Sequence, residues 1–481
     1  MGAGASSSAK LSNENIILMS DSYKASHYKQ YPPGTEYVYS YFESRGGKYD
    51  TVTFFGLQYF LKRYLSGPVV TQEGIDQAAM YYAAHFMNGE LFNKSGWEYI
   101  LREHGGRLPV EIKAVPEGTK LPYQNVLFTM VNTDPQCFWL TNFLETILVQ
   151  VWYPMTVATH SGSMREVISK YLEKTSDIPV SEAISFKLHD FGFRGVSSVE
   201  TAGIGGAAHL INFLGTDTVA AMVIAKEFYS AEISTESMQC PGYSIPASEH
   251  STITSWGQEN ESAAMENMLT QYPSGLVACV SDSYDIFKAC SEKWGSELKD
   301  KVLGREGCLV VRPDSGDPIQ VSLQVLELLW EAFPGRVNDK GYKVLDDHVR
   351  IIWGDGIDRE SLEMILDNYE KNQWSADNIG FGSGGGLLQK LNRDTQKCAF
   401  KCSEIVVNGV VREVYKDPVT DSGKKSKRGR LTLHCTDDGV WETKMGPNSD
   451  PSTDMLVPVF KDGSLLIDYT FAEIRERAWP K

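Results

Sequence analysis

Leu309-Val310-Val311-Arg312-Pro313-Asp314-Ser315-Gly316 is the stretch that decides the architecture. Three apolar residues, too few for a helix, end in a charged cluster punctuated by proline and glycine. An amphipathic stretch follows at 319–333, with Val321, Val325, Leu328 and Leu329 on one stripe. The same order recurs on both sides of it. The apolar run at 186–188 leads to His189-Asp190, the run at 207–213 to Gly215-Thr216-Asp217, and the run at 243–246 to Glu249-His250. The run at 276–280 leads to Ser281-Asp282-Ser283, that at 351–353 to Gly354-Asp355-Gly356, and that at 379–381 to Gly382-Ser383-Gly384-Gly385-Gly386. Helical spacing at 359–370 supplies a further crossover. Strands alternating with helices imply parallel pairing. About seven such units in about 200 residues predict an α/β, (β/α) barrel-like domain at 181–389, with its chemistry at the strand C-termini.

The flanking chain has another texture. At 13–180 helix and strand mix without strict alternation: spacing predicts helices at 57–64 and 74–88 and strands at 108–115 and 126–131. The most apolar stretch, 138–158, contains Asn142, Glu145, Gln150 and Pro154. A membrane-spanning helix needs about 20 residues nearly free of such groups, so the reading is a buried core helix running into a strand. Past the barrel, 405–414 and 430–434 read as strands and 418–430 as a basic loop. The two ends, 13–180 and 390–481, are expected to build a second, α+β domain. Residues 1–12 read as a disordered tail. Gly2 and Ser6 there match the myristoylation pattern, but no polybasic segment accompanies them.

Composition narrows the function. The 481 residues carry a net charge of −16, with 42% hydrophobic and 22% charged residues, an ordinary globular balance. Such a chain is not expected to spread over nucleic acid or an anionic membrane. Residues 387–430 run against the average, with eleven Lys or Arg against five Asp or Glu, and that asymmetry suits a local anionic ligand. Eight scattered cysteines without a Cys-x-x-Cys pair, and no secretory signal, point to a reduced, cytoplasmic protein. Two motifs mislead. Asp190-Phe191-Gly192 spells the kinase metal motif without the other kinase motifs. Gly203-Ile204-Gly205-Gly206 imitates a dinucleotide fingerprint without the preceding apolar strand.

Three clusters carry chemistry on their residues alone. The four glycines within 382–386, feeding a helix, can cradle phosphate with backbone N–H groups, or can be a flexible loop. Asp314 and Asp355 at strand ends suit ribose hydroxyls or Mg²⁺, or can cap the next helix, the role given to Asp358. Glu249-His250 can be a base or nucleophile beside a carboxylate, or a structural pair.

Together with Asp21-Ser22-Tyr23-Lys24, Lys187-Leu188-His189-Asp190-Phe191-Gly192-Phe193-Arg194-Gly195, Gly215-Thr216-Asp217-Thr218 and Pro241-Gly242-Tyr243-Ser244, these motifs give the chain a resemblance. From about residue 14 to about 475, in order, it resembles the nicotinamide phosphoribosyltransferases of the type II phosphoribosyltransferase family. The resemblance implies transfer of phosphoribosyl from phosphoribosyl pyrophosphate to nicotinamide, a Mg²⁺ requirement met mainly through the substrate pyrophosphate, and a homodimer with shared active sites. It implies that Phe191 and the partner copy's Tyr23 sandwich the base, that Asp217 accepts from the carboxamide, and that Ser244 and Asp21 line the site. Arg312 would contact the base or phosphate, Asp314 would stabilise developing positive charge, and Asp282 would hold ribose or metal. Gly354, Asp355, Gly384 and Gly385 would bind ribose and 5′-phosphate. Arg45, Arg194, Lys401, Lys416 and the partner copy's Arg393 would bind phosphates. His250, oriented by Glu249, would be phosphorylated by ATP, a stimulating co-substrate. A nicotinate phosphoribosyltransferase and an extracellular signalling protein are the alternatives, and Asp217 argues against the first. The short 46–50 loop, Ala278, Ala399 and Trp353 depart from the family pattern.

Overall fold

The computed structural model describes residues 15–420, 425–446 and 451–480; the 1–12 tail with Gly2 and Ser6, and 421–424 of the basic loop, lie outside them. The chain forms two compact units, one of residues up to 156 with 392–480, the other of 157–391. The first change of unit falls inside the helix Trp152–Thr175, whereas the change in sequence texture lies near 180.

The first unit is built on a seven-stranded sheet. From one edge its order is Val410–Glu413, Cys398–Val407, Thr35–Ser44, Val126–Asn132, Val110–Ala114, Val457–Lys461 and Ser464–Leu465, all antiparallel. N-terminal strands thus lie between C-terminal ones, so both chain ends share one sheet. Phe42 stacks on Phe128 with centroids 4.8 Å apart, and Phe400 closes on the same ring. The stretch expected as one strand at 405–414 is a hairpin. Asn408 and Gly409 both have positive φ, the two-residue turn that suits strand twist. The stretch at 138–158 contains no strand. It is two helices, Leu140–Val149 and Trp152–Thr175, and Pro154 is accommodated because a first helical turn needs no N–H there.

The second unit carries six parallel strands: β1 (Leu188–Asp190), β2 (Gly215–Thr216), β3 (Val277–Val280), β4 (Leu309–Arg312), β5 (Val349–Trp353) and β6 (Ile379–Ser383). Their order is β2-β1-β6-β5-β4-β3. Residues 243–247 join the two outer strands. Tyr243 bridges Gly215 on β2, Ala247 bridges Ala278 on β3, and both bridges are parallel. The Thr216 N–H donates to Tyr243 O (3.0 Å) and the Ala278 N–H to Pro246 O (2.9 Å), so the sheet closes into a barrel of seven segments. Ala278, Val310 and Ile352 pack in its interior with Ile245 and Phe191. Helices Pro318–Ala332 and Arg359–Lys371 lie where periodicity puts them, and Asp358 caps the second through Ser361 N–H at 2.9 Å.

One segment departs from expectation. The apolar run at 207–213 is not a strand; residues 199–209 form the helix Val199–His209, and only Gly215–Thr216 pairs. The glycines explain the difference. A Cβ on Gly203 would meet Ile224 at 2.8 Å and one on Gly206 would meet Ala221 at 2.7 Å, so they let this helix press against Val219–Tyr229. Among the described residues no helix is long and apolar enough to cross a membrane.

Candidate active site

Strand ends of the barrel bring together the chemistry of the second unit. Phe191 follows β1, and its N–H donates to Ser383 O on β6 at 3.0 Å. Its ring lies over glycines: a Cβ on Gly382 would sit 2.0 Å from Phe191 Cε2, and one on Gly354 would sit 3.3 Å from that atom and 3.4 Å from Asp314 Oδ1. Gly382 begins the run that the sequence leaves open between a phosphate cradle and a flexible loop. It is instead the last inward position of β6, and its missing side chain makes room for the aromatic ring. A run of glycines hides that distinction, because seat and cradle use the same residue. Gly384 faces Phe191 O, Gly385 faces open space, and Gly385–Leu388 forms one helical turn. Gly195, next to the exposed Arg194, faces the Gly385 backbone, with its Cβ position 3.5 Å from Gly385 N.

Asp217 follows β2 and is exposed, with the Ser244 hydroxyl donating to its carboxylate. Buried Asp190 ends β1. Burial pushes its carboxyl up to about 6, against the N–H of Gly192 that donates to it at 2.7 Å. Burial also lowers the basicity of neighbouring His189, which Asp217 partly restores.

A second group centres on Asp282, after β3. Its Oδ1 lies 2.9 Å from His250 Nε2, and its Oδ2 accepts from Asp314 N–H at 3.1 Å and from the Ser315 hydroxyl. The Asp282 side chain is only 4% exposed and that of His250 47%, so a fixed carboxylate holds an accessible ring. Glu249, expected to orient His250, does not. Its carboxylate takes the Ser251 hydroxyl at the start of the helix that His250 begins, and the hydrogen bond to the imidazole comes from elsewhere. The sequence neighbour loses to a residue 32 positions away because a helix cap points along the helix start. Arg312 grips Asp314 through two contacts, 2.8 and 3.3 Å, so Asp314 already has a cationic partner. Asp355 is exposed, and buried Trp353 pins its backbone by donating from Nε1 to Asp355 O at 2.7 Å. Trp353 and Ala278 are both buried within the barrel wall.

The first unit gathers cations. Lys401 is lowered by burial and by Arg45, Lys24 and Arg393 around it, with Glu145 opposing. Arg45 donates to Glu43 at 2.8 Å, and Lys24 to Glu145 at 2.8 Å. The short 46–50 loop is tied to the turn bearing Arg393. The Lys48 N–H donates to Thr395 O at 2.8 Å, and Gln396 Oε1 accepts from Tyr49 N–H at 2.9 Å. Ala399 pairs opposite Glu43 on the same sheet. Tyr23 stands 58% exposed, edge-on to His27, while Asp21 accepts from the Thr146 hydroxyl at 2.8 Å. Lys416 is exposed, on a loop whose backbone bonds Ser426. Also in this unit, His104, Asp134 and Cys137 lie close enough to suggest a metal triad. Asp134 spends its oxygens on His104, Tyr99 and the Gln136 N–H, and burial pushes the Cys137 thiol up to about 12, so hydrogen bonding accounts for the cluster.

A barrel with an aromatic shelf, carboxylates at its strand ends and a separate basic group defines a class of phosphoribosyl-transferring fold. Residues 186–461 match the nicotinate phosphoribosyltransferase (NAPRTase) family, to which the chain belongs. Residues 15–112 match the N-terminal domain of nicotinamide phosphoribosyltransferase. The chain is 50% identical over 472 residues to the nicotinamide phosphoribosyltransferase of Xanthomonas campestris pv. campestris, covering 97% of this chain and 98% of the relative. It is 35% identical to the nicotinamide phosphoribosyltransferase of Acinetobacter baylyi, covering 96% and 97%. In fold it is similar to nicotinate-nucleotide pyrophosphorylase from Pyrococcus furiosus, with a TM-score of 0.58 at 15% identity over 97% of this chain and 95% of that one.

Proposed function

We infer that the chain is a nicotinamide phosphoribosyltransferase, joining nicotinamide to phosphoribosyl pyrophosphate to give nicotinamide mononucleotide and pyrophosphate in NAD synthesis. The observation that carries this reading is Asp217. Ser244 occupies one of its oxygens, and the residue remains exposed to accept from a carboxamide NH₂. A carboxylate base would bring like charge to the same place.

In this reading Phe191 is the shelf for the pyridine ring, and Tyr23 from a second copy covers the other face. Stacking of this kind gives roughly 0.5–1.5 kcal/mol beyond area burial. The bond from C1 to pyrophosphate loosens to an oxocarbenium-like state, and Asp314 faces that positive charge while Arg312 fixes its orientation. Gly354, Asp355, Gly384 and Gly385 hold the ribose and 5′-phosphate. Arg45, Arg194, Lys401, Lys416 and a second copy's Arg393 bind phosphate oxygens, for which arginine's fork is shaped. Shared active sites make the working form a homodimer, and the reduced cysteines suit a cytoplasmic enzyme.

Asp282 and Asp314 already spend oxygens on neighbours, so Mg²⁺ fits as an ion carried mainly by the pyrophosphate with few protein ligands. When bound it neutralises the leaving group. ATP fits His250. With Nε2 on Asp282, the free lone pair is on Nδ1, so Nδ1 is the atom that would take a phosphoryl group while Asp282 steadies the ring's positive charge.

The test is a product assay with phosphoribosyl pyrophosphate and Mg²⁺, comparing nicotinamide with nicotinic acid, each with and without ATP. Mononucleotide from the amide, raised by ATP, supports the reading. Turnover of the acid in preference to the amide refutes the role of Asp217.

A further inference from the structure

We propose that Asp190 is the positioning residue of the base pocket, locking the Phe191 shelf and the Asp217 acceptor into one rigid unit from beneath. The proposal rests on the nicotinamide reading above and adds to it a buried residue that would touch no substrate.

The argument begins with register. β1 is the strand between β6 and β2, and Asp190 is its last residue, paired with Ser383 on one side and Thr216 on the other. Phe191, one residue on, points into the barrel interior, so Asp190 points out of it, as alternation along a strand requires. Its side chain is completely buried. A buried carboxylate needs partners, and here they are the two turns that carry the pocket. Oδ1 accepts the Gly192 N–H at 2.7 Å, which folds the chain back directly after Phe191. Oδ2 lies 3.5 Å from the Thr216 hydroxyl, and that hydroxyl in turn accepts the Thr218 N–H at 2.9 Å across Asp217. The Asp190 main chain completes the link, because its carbonyl accepts the Asp217 N–H at 3.0 Å. One residue therefore bonds the turn after the shelf with its side chain and the acceptor itself with its backbone.

The packing around it leaves no slack. A Cβ on Gly206 would come within 3.0 Å of Asp190 Oδ2, and one on Gly192 within 3.0 Å of Oδ1. The glycine-bearing helix Val199–His209 is thus pressed onto the carboxylate from outside the barrel. This gives the Asp190-Phe191-Gly192 triplet a physical meaning distinct from the kinase motif. Asp accepts, Phe stacks, and Gly supplies the N–H and the space. Burial, which pushes this carboxyl up to about 6, still leaves it ionised at neutral pH and therefore a strong acceptor.

The experiment uses the full-length protein and compares Asp190→Ala with Asp190→Asn. The asparagine keeps an oxygen for Gly192 and can donate its amide to Thr216; the alanine leaves a buried N–H without an acceptor. The expected result for Asp190→Ala is a KM for nicotinamide raised about tenfold, with the KM for phosphoribosyl pyrophosphate within about twofold of wild type, and for Asp190→Asn a return to within about threefold. A purely structural residue would raise both KM values together or lower only the melting temperature. Parallel changes, or no change in the nicotinamide KM, overturn the proposal. Residue-level hydrogen exchange on wild-type protein covers the case in which Asp190→Ala does not fold. The Gly192 amide is expected to be strongly protected although it lies in a turn, and rapid exchange there overturns the proposal. A wild-type protein that turns over nicotinic acid and not nicotinamide would defeat the functional reading alone, and the same KM comparison would then be made with that base.

Discussion

Gly382→Ala tests the barrel interior most directly. Gly382 has an ordinary extended backbone in β6, so alanine meets no conformational penalty there. Its obstacle is steric. The new methyl would lie 2.0 Å from Phe191 Cε2 and 2.2 Å from Cδ2, about 1.5 Å inside the ~3.5 Å that two carbons need. The next nearest atom is Cζ of the same ring, at 2.9 Å, so the ring must tilt or shift. Losing the stack forfeits roughly 0.5–1.5 kcal/mol, about 2- to 13-fold in affinity for the base. Strain from overpacking adds about 1–3 kcal/mol against folding. Gly354→Ala is the internal control. Its methyl would lie 3.3 Å from the same ring atom and 3.4 Å from Asp314 Oδ1, contacts that a shift of a few tenths of an ångström relieves. Initial rates against nicotinamide at saturating phosphoribosyl pyrophosphate should show KM raised about tenfold for Gly382→Ala and less than about threefold for Gly354→Ala. Thermal unfolding should fall in the same order. Equal effects of the two substitutions, or an unchanged KM in Gly382→Ala, would refute the view that this glycine seats the shelf.

Other consequences follow from the same geometry. Asp217→Asn should let nicotinic acid compete with nicotinamide, lowering the amide-to-acid ratio of kcat/KM by at least about tenfold, because a like-charge contact is removed; competition assays measure this. Asp190, raised from 3.8 to about 6 by burial, binds its proton more tightly folded than unfolded. Its favourable contribution is therefore full below pH 4 and is lost as pH rises through about 6, a change on the order of 3 kcal/mol. Asp190→Asn should remove that component, so its stability relative to wild type should climb between pH 4 and 6 and then level off in denaturant titrations. Trp353→Phe removes the donor to Asp355 O and should raise the KM for phosphoribosyl pyrophosphate about three- to tenfold while leaving that for nicotinamide near wild type. Asp358→Ala should cost about 1 kcal/mol of stability with kcat unchanged, because the residue caps the helix Arg359–Lys371.

The barrel was legible because its strands are short apolar runs that stop at polar clusters, a pattern parallel strands produce wherever they are buried on both faces. The run at 207–213 shared that pattern for a different reason. From Ala202 to His209 that helix is mostly glycine and alanine and is buried throughout, so this part has no polar face to betray its period. The apolar run at 243–246 reads as a strand, and the structure joins the segment 243–247 to the barrel by a single bridge on each side. At the site, the residues that the motifs singled out do converge at strand ends, since β1, β2, β4 and β6 lead straight into Phe191, Asp217, Asp314 and Gly384. Pairing was not legible. Nothing in Glu249-His250 says that Asp282 takes the imidazole, because the choice is made by helix-cap geometry and by barrel closure. Nor could spacing distinguish Gly382 as a seat from Gly384 and Gly385 as open backbone, because only a neighbour in space separates those roles.

An acidic chain that handles a polyanionic substrate is less contradictory than its net charge of −16 suggests. Charges more than about 8 Å apart across water are largely screened at physiological salt, so the ligand responds to what lies beside it. Four carboxylates at the barrel mouth that could repel it are engaged: Asp314 by Arg312, Asp282 by His250 and Ser315, Asp217 by Ser244, and Asp190 by burial beneath the turns. In the first unit the ratio is reversed. Burial lowers Lys401, and Arg45, Lys24 and Arg393 around it add to that lowering, with Glu43 and Glu145 set among them. Those two glutamates keep the cations compatible when no anion is present. A phosphate entering such a cluster relieves repulsion as well as gaining attraction, which is the electrostatic reason for packing four like charges around two opposite ones.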